Sequence, residues 1–371
     1  MKQSKFLKSF LAGGIMSTTL CAALADVPQI GVKEIYRGVI QNEAVPTYHG
    51  WPTVANVGND KLVASASGGR KGHLSHDGRV YLYESTDKGR TWSGPRIVTQ
   101  GPLDDRDAGI LCTPDGTWLV NYFTYIHLAE ENILEKYNIT PEIQEKELGF
   151  FLMRSTDQGN TWTPPCRVPV NNVHGPIVLN DGTLLWHGKG YSNKSGSHTF
   201  DNDLVTCIST DDGMTWQEIS RTDKNTFPDI DLADLHEVTT VQAADGTLIS
   251  HVRSDSRVAT YQMISEDMGR TWSKPELLTA GVPAHLLKLS DSKLLTVYSR
   301  ARSDIQARIS CDNGKSWSEG VVLQDTCPSN DMGYPSTAEF ADGTLFTLWY
   351  QLDPATGIAN LHYLHWELIV K

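Results

Sequence analysis

The stretch STDKGRTW at 85–92 returns as STDQGNTW at 155–162, STDDGMTW at 209–216, SEDMGRTW at 265–272 and SCDNGKSW at 310–317. Each copy reads Ser-x-Asp-x-Gly-x-Thr/Ser-Trp. Alternating, strand-like runs precede the copies, as in VYLYES (80–85) and GFFLMRS (149–155), and SGPRIV, TPPCRV and SKPELL follow them. The phrase is therefore read as a hairpin turn. Its Asp bonds nearby backbone amides, its Gly takes a positive φ and its Trp packs between strands. Repetition on this scale points to a propeller, a solenoid or an array.

A second repeat lies between the boxes. GNDKL (58–62), PDGTW (114–118), NDGTL (180–184), ADGTL (244–248), SDSKL (290–294) and ADGTL (341–345) each separate two apolar runs, as Asp-Gly hairpins do. Inner and outer hairpins together give four-stranded units of roughly 58 residues, a little above the about 40–50 of propeller blades. The last unit has no box. Its third strand is expected in IANLHYLHWELIV (358–370), and KEIYRGVI (33–40) is expected to supply the fourth. The expected fold is an all-β, six-bladed β-propeller of four-stranded antiparallel blades over 26–371, its ring closed by the N-terminal strand. Strand alternation puts both kinds of turn on one face of the disc. Chemistry is then expected on the other face, where inner strands begin and second strands end.

Composition narrows the function classes. A hydrophobic content of 39% with ten Trp suffices for a packed core. Lys2, Lys5 and Lys8, the apolar run Phe10 to Ala23 and Ala23-Leu24-Ala25 read as a cleaved export signal over 1–25. The run is shorter than the ~20 residues a membrane span needs, so a periplasmic or secreted protein without membrane insertion is expected. Losing three lysines and no acid moves the formal charge from −12 to −15, which argues against nucleic acid as a partner. Cys112, Cys166, Cys207, Cys311 and Cys327 stand singly, without a zinc-type pair. No metal cluster or phosphate loop is visible, and no cofactor is expected.

Inner strands are expected to begin near Trp51, Asp107, His174, Glu237, His285 and Tyr334. Second strands are expected to end near Arg70, Tyr122, Lys189, Arg253, Arg300 and Tyr350. Arginines gathered at one channel mouth of an acidic protein suit an anionic ligand, most simply a carboxylated sugar.

The boxes resemble the Asp boxes (BNR repeats) of the sialidase superfamily, and the resemblance covers essentially the whole chain after the leader. HEVTTVQAADGTLISHVRSD (236–255) is similar to the family segment that carries the catalytic Glu and a carboxylate-binding Arg, matching Glu237 and Arg253. GYPSTAEFADGTLFTLWYQ (333–351) resembles the segment of the Tyr nucleophile, matching Tyr334. TVYSRAR (296–302) matches the third arginine at Arg300, with Arg302 a rival, and GGR (68–70) matches an arginine at Arg70. The resemblance implies a retaining exo-glycosidase acting on a sialoglycoconjugate or related acidic glycan. A tyrosine is neutral until its proton leaves, so it approaches an anomeric carbon bearing a carboxylate without like-charge repulsion.

Three departures stand out. Gly50-Trp51-Pro52 replaces the family's Arg-Ile-Pro, leaving Arg70 or Arg106 to substitute. The loop GGRKGHLSHDGRV (68–80), where the acid/base should lie, offers Asp77 as the nearest match, with His73, His76 and Asp107 as alternatives. LDDRDAGI (103–110) adds Arg106 and Asp107 as candidate substrate contacts, and His174 and His236 are candidate site-lining residues. A hydrolase or lyase acting on a uronic-acid glycan, and a non-catalytic glycan binder, remain alternatives. One insertion, 125–149, spaces Ile126, Ile133, Leu134 and Tyr137 like one helix face and is expected at the rim of the functional face.

Overall fold

Every Asp-Gly-type turn singled out in the sequence joins two observed strands. The turn after Cys112 leads into Trp118–Tyr125, that after Gln242 into Leu248–Ser254, and that after Glu339 into Leu345–Asp353. The computed structural model describes residues 27–40, 48–128, 130–192, 199–300 and 302–371. The expected leader, 1–25, lies outside them. The described chain is all-β apart from two short helices and one 3-10 turn, Leu232–Asp234.

The strands form a propeller-like arrangement of antiparallel sheets. Three sheets have four strands, one has five and one has eight. Thr53, Ile110, Ile177, Thr239, Leu286 and Thr337, each from a different inner strand, line a central cavity of about 350 Å³. Where the sequence led us to expect six separate blades, hydrogen bonding divides the strands into five sheets. The eight-stranded sheet joins two four-stranded sets through a parallel bridge between Tyr48 and Ala359. The N-terminal strand Ile30–Ile40 pairs antiparallel along Ile358–Val370 and is the eighth strand of this sheet. The fifth strand of another sheet arises because an inner strand is broken. Val170–Asn171 and Ile177–Val178 both pair with Leu184–Ser192, with Gly175 (φ 84°) and Pro176 interrupting them.

All five boxes take one conformation. In the first, the Thr91 N–H donates to Asp87 Oδ1 at 2.9 Å, the Thr91 hydroxyl to Oδ2 at 2.6 Å and the Gly89 N–H to Ser85 Oγ at 2.8 Å. Lys88 and Gly89 both have positive φ, 62° and 89°, and a Cβ on Gly89 would strike Phe346 of the last set at 2.2 Å. Glycine there allows both the turn and the close approach. The other boxes also touch a neighbouring set. Arg154 Nε donates to Asp212 O at 2.6 Å, and Gln262 Nε2 to Gly314 O at 2.9 Å. The tryptophans reach across too, Trp272 Nε1 donating to Thr206 Oγ1 at 2.9 Å. The boxes are thus joints between sheets.

The core lies between facing sheets, as where Val63, Val80 and Leu82 meet Ala108, Ile110 and Trp118. Each fully buried side chain of that size contributes about 1.5–3 kcal/mol. Inner strands are also stitched by hydroxyls, Val54 N–H to Ser336 Oγ at 3.1 Å and Leu286 N–H to Thr239 Oγ1 at 3.1 Å. This explains serines and threonines in buried strand positions: they satisfy backbone groups that the ladder leaves open.

The insertion differs from its expected single helix. Helices cover Ile133–Lys136 and Pro141–Glu147, and Ile126 precedes both. Asn138 at φ 52° turns the chain, Pro141 opens a new helix, and Thr140 Oγ1 caps it by accepting from the Ile143 N–H at 3.3 Å. Leu103, Ile126, Ile133 and Ile139 give the insertion a small core of its own. Cys112, Cys166, Cys207, Cys311 and Cys327 are all free thiols.

Candidate active site

Four inner strands begin with the same irregularity. Trp51, Asp107, Glu237 and Tyr334 have φ of 52°, 50°, 50° and 54°, and each falls at a register shift in its strand pair. Such a bulge re-aims a side chain, and left-handed backbone on bulky residues concentrates at functional sites.

Glu237, Arg253 and Tyr334 come together. The Tyr334 hydroxyl donates to Glu237 Oε1 at 2.5 Å, and Arg253 Nη1 lies 2.5 Å from Glu237 Oε2 and 2.9 Å from Tyr334 Oη. Burial, reinforced by the Glu237 carboxylate, pushes the Tyr334 phenol well above its ordinary value despite Arg253, so it rests protonated. Arg253 Nη2 pairs with Asp255 at 2.5 Å, and Asp255 Oδ2 lies 3.1 Å from His236 Nε2. Asp255, quoted within the matching segment but given no role there, holds Arg253 from outside the trio.

Asp107 is buried with Oδ1 unpartnered, and burial raises its carboxyl to about 6. A cavity of about 270 Å³ opens here, lined by Asp107, Glu237, His236, Lys189, Asn202 and Phe123. Lys189 Nζ donates to the carbonyls of Asn202 and Leu232 at 2.8 and 2.5 Å, and burial lowers it to about 8. Its signal in the sequence was its position at the end of a second strand, the position Arg253 also occupies.

Each arginine of the expected clamp has an acidic partner. Arg70 is fully buried, its fork taken by Asp104 at 2.6 and 2.9 Å, with a further bond to His73 O at 2.9 Å. Arg300 pairs with Asp304 at 2.8 Å across its own hairpin and is half exposed. Arg106 lies 3.7 Å from Asp104, and its guanidinium covers the Trp51 ring at 4.5 Å, with that of Arg70 at 4.8 Å. Trp51, where the family has an arginine, is instead an aromatic floor beneath two guanidiniums.

Asp77 is not brought to Tyr334. It sits on the turn that returns the chain into Arg79–Ser85, half exposed, 3.8 Å from Lys71. Asp-Gly turn chemistry accounts for it. His76 stacks on Tyr137 of the insertion at 3.8 Å, and burial lowers its imidazole. His73 packs edge-on against Trp51, 5.0 Å between centroids. His174 faces the central cavity with His285 and bonds Thr53 Oγ1 through Nδ1 at 3.0 Å, its basicity suppressed by burial. His236 lines the Glu237 cavity.

The chain is similar to a sialidase of Bacteroides fragilis, 23% identical over 69% of this chain and 51% of that protein. It is also similar to one of Micromonospora viridifaciens, 22% identical over 86% of this chain and 52% of that protein. It thus spans about half the length of the curated relatives it matches. Among solved structures, a protein of unknown function from Dyadobacter fermentans aligns over 91% of this chain and 100% of its own, at 20% identity and a TM-score of 0.74. The NanB sialidase of Streptococcus pneumoniae aligns over 90% and 70%, at 14% identity and a TM-score of 0.66. A family profile described as a BNR repeat-like domain matches residues 136–347. With more than half of its length matched, the chain belongs to the BNR repeat-like domain family, within the sialidase/BNR-repeat superfamily.

Proposed function

We propose that the protein is an exo-glycosidase of sialidase type that releases a terminal acidic sugar with retention of configuration. The observation that carries this reading is the Tyr334 hydroxyl, 2.5 Å from Glu237 and 2.9 Å from Arg253. Tyr334 attacks the anomeric carbon while Glu237 takes its proton, and Arg253 balances the charge that moves between them. Asp107 and the cavity beside Glu237 hold the sugar ring. The same reading takes the fold as six four-stranded blades, the ring closed by Ile30–Ile40 beside Ile358–Val370, and takes the protein as exported after cleavage behind Ala25.

The substrate class splits on one observation. Trp51 stands where the family has an arginine, and Asp104 and Asp304 occupy Arg70 and Arg300. That favours, as a second reading, an acidic sugar whose carboxylate is not on the anomeric carbon, such as a uronic acid. The test is a screen of purified protein on sialosides and uronate-containing oligosaccharides, with Tyr334→Phe and Glu237→Gln alongside. Turnover falling ~10³-fold or more in the tyrosine variant, with the fold intact, supports the mechanism. Full activity of that variant overturns it. An unsaturated, ultraviolet-absorbing product would mark a lyase instead.

A further inference from the structure

The trio of Tyr334, Glu237 and Arg253 leaves one role unfilled, the group that protonates the departing oxygen. We propose that His73, held by Asp331, is that group; this rests on the glycosidase reading above. His73 lies on the loop that follows Leu62–Arg70, and Arg70 Nη2 pins its carbonyl at 2.9 Å. Its Nδ1 is 3.1 Å from Asp331 Oδ1 and 3.0 Å from Tyr48 Oη. Asp331 also accepts from Tyr48 at 2.8 Å and from Tyr350 at 2.8 Å. Burial keeps both phenols protonated, and Asp331 is held below the usual carboxylate range by its His73 and tyrosine donors despite burial. An ionised Asp331 therefore accepts a hydrogen bond from Nδ1–H and leaves Nε2 for proton transfer, the orientation logic of a carboxylate-held imidazole.

Position agrees with this chemistry. The His73 side chain is 43% exposed, and among the described residues no group bonds its Nε2. Trp51 is the shared neighbour of His73 and Tyr334, edge-on to both, with centroids at 5.0 and 6.3 Å. Asp331 had no role in the sequence reading, because the loop before Met332–Glu339 reaches His73 only when the first and last sets meet.

The His73 imidazolium gives its Nε2 proton to the glycosidic oxygen as the carbon–oxygen bond breaks and its electron pair goes to that oxygen. Tyr334 Oη forms the new bond to the anomeric carbon, its proton passing to Glu237. Water then attacks the anomeric carbon and neutral His73 takes a water proton. The tyrosine bond breaks, its pair returns to Oη, and Oη recovers the proton from Glu237. The charged and titratable groups around His73 are Asp331, Tyr48 and Tyr350 from the facing elements, Arg70 at the end of the strand before it and Lys71 on its own loop.

The experiment compares two aryl glycosides of the sugar the wild type turns over, one with a good leaving group and one with a poor leaving group. For His73→Ala and His73→Gln, kcat/KM should fall ~10²-fold or more on the poor leaving group and far less on the good one. On the good leaving group, where breakdown of the tyrosyl intermediate limits turnover, added azide should raise the variants' kcat and yield the glycosyl azide, and the basic limb of the pH profile should disappear. Asp331→Asn, the positioning variant, should shift that limb with little change in KM. A uniform loss across leaving groups, or the selective loss and azide rescue appearing in Asp107→Asn instead, overturns the dyad while leaving the tyrosine mechanism standing. Failure of the wild type on every acidic glycoside removes the glycosidase reading, and the dyad with it.

Discussion

Trp51 shares its strained backbone with Asp107, Glu237 and Tyr334 but is 1% exposed, wedged under Arg70 and Arg106. Trp51→Ala should therefore act on stability and on the site together. We expect a loss of about 3–5 kcal/mol in denaturant unfolding, as for other buried aromatics, with a raised KM because both guanidiniums lose their floor. Two buried carboxyls make a second residue-scale expectation. Burial raises Asp105 to about 7 and Asp107 to about 6. A carboxyl whose folded value lies above its unfolded one holds more protons folded, so stability falls as pH rises between roughly 4 and 7. Asp105→Asn should flatten that slope. Its melting temperature should exceed the wild type's at pH 8 and converge with it near pH 4.

Among elements, the box hairpins carry a charge-dependent term of opposite sign. Asp157 is held down to about 2 by the Thr161 hydroxyl, then by the Thr161 N–H and Ser155, and Asp267 is lowered first by Thr271. Stability from a depressed carboxylate is present above its unfolded value and is lost as pH falls through the folded one. Acid unfolding should therefore steepen below pH 4, and Asp157→Asn should move its midpoint upward when followed by circular dichroism. The insertion has a testable role at the same scale. His127 Nε2 bonds Asp104 Oδ2 at 2.8 Å, so the insertion braces the carboxylate that fixes Arg70 and lies near Arg106. His127→Ala should cost roughly 1–3 kcal/mol and raise KM several-fold with less effect on kcat.

At the scale of the molecule, the first and last sets depend on each other. Ile30–Ile40 covers the edge of Ile358–Val370, Asn56 Nδ2 donates to Glu339 O at 2.9 Å, and the Asp331–His73 contact crosses the same seam. Removing residues through Ile40 should expose an unpaired strand edge. Lower melting temperature and concentration-dependent association in light scattering are the expected results, together with lower activity on the proposed reading, because the Asp331–His73 contact crosses this seam.

The boxes and Asp-Gly turns were legible because their chemistry is local: an Asp, a Gly and a Thr within a few residues specify a turn without help from the rest of the chain. Strand alternation carried that information to the inner-strand starts and second-strand ends, and the resemblance to the sialidase superfamily singled out among them Glu237, Arg253 and Tyr334, which do meet. Partnership was not local. Whether an arginine faces a ligand or an acid depends on chain distant in sequence, as Arg70 with Asp104, or on a hairpin's own register, as Arg300 with Asp304. The left-handed bulges at Trp51, Asp107, Glu237 and Tyr334 left no composition signal, and the fusion of the first and last sets follows from ends some three hundred residues apart in sequence. Turn-forming residues thus determined by themselves the all-β, propeller-like class and the hairpins, while tertiary structure alone decided how the strands divide into sheets and which charges neutralise one another, because both depend on distance in space rather than along the chain.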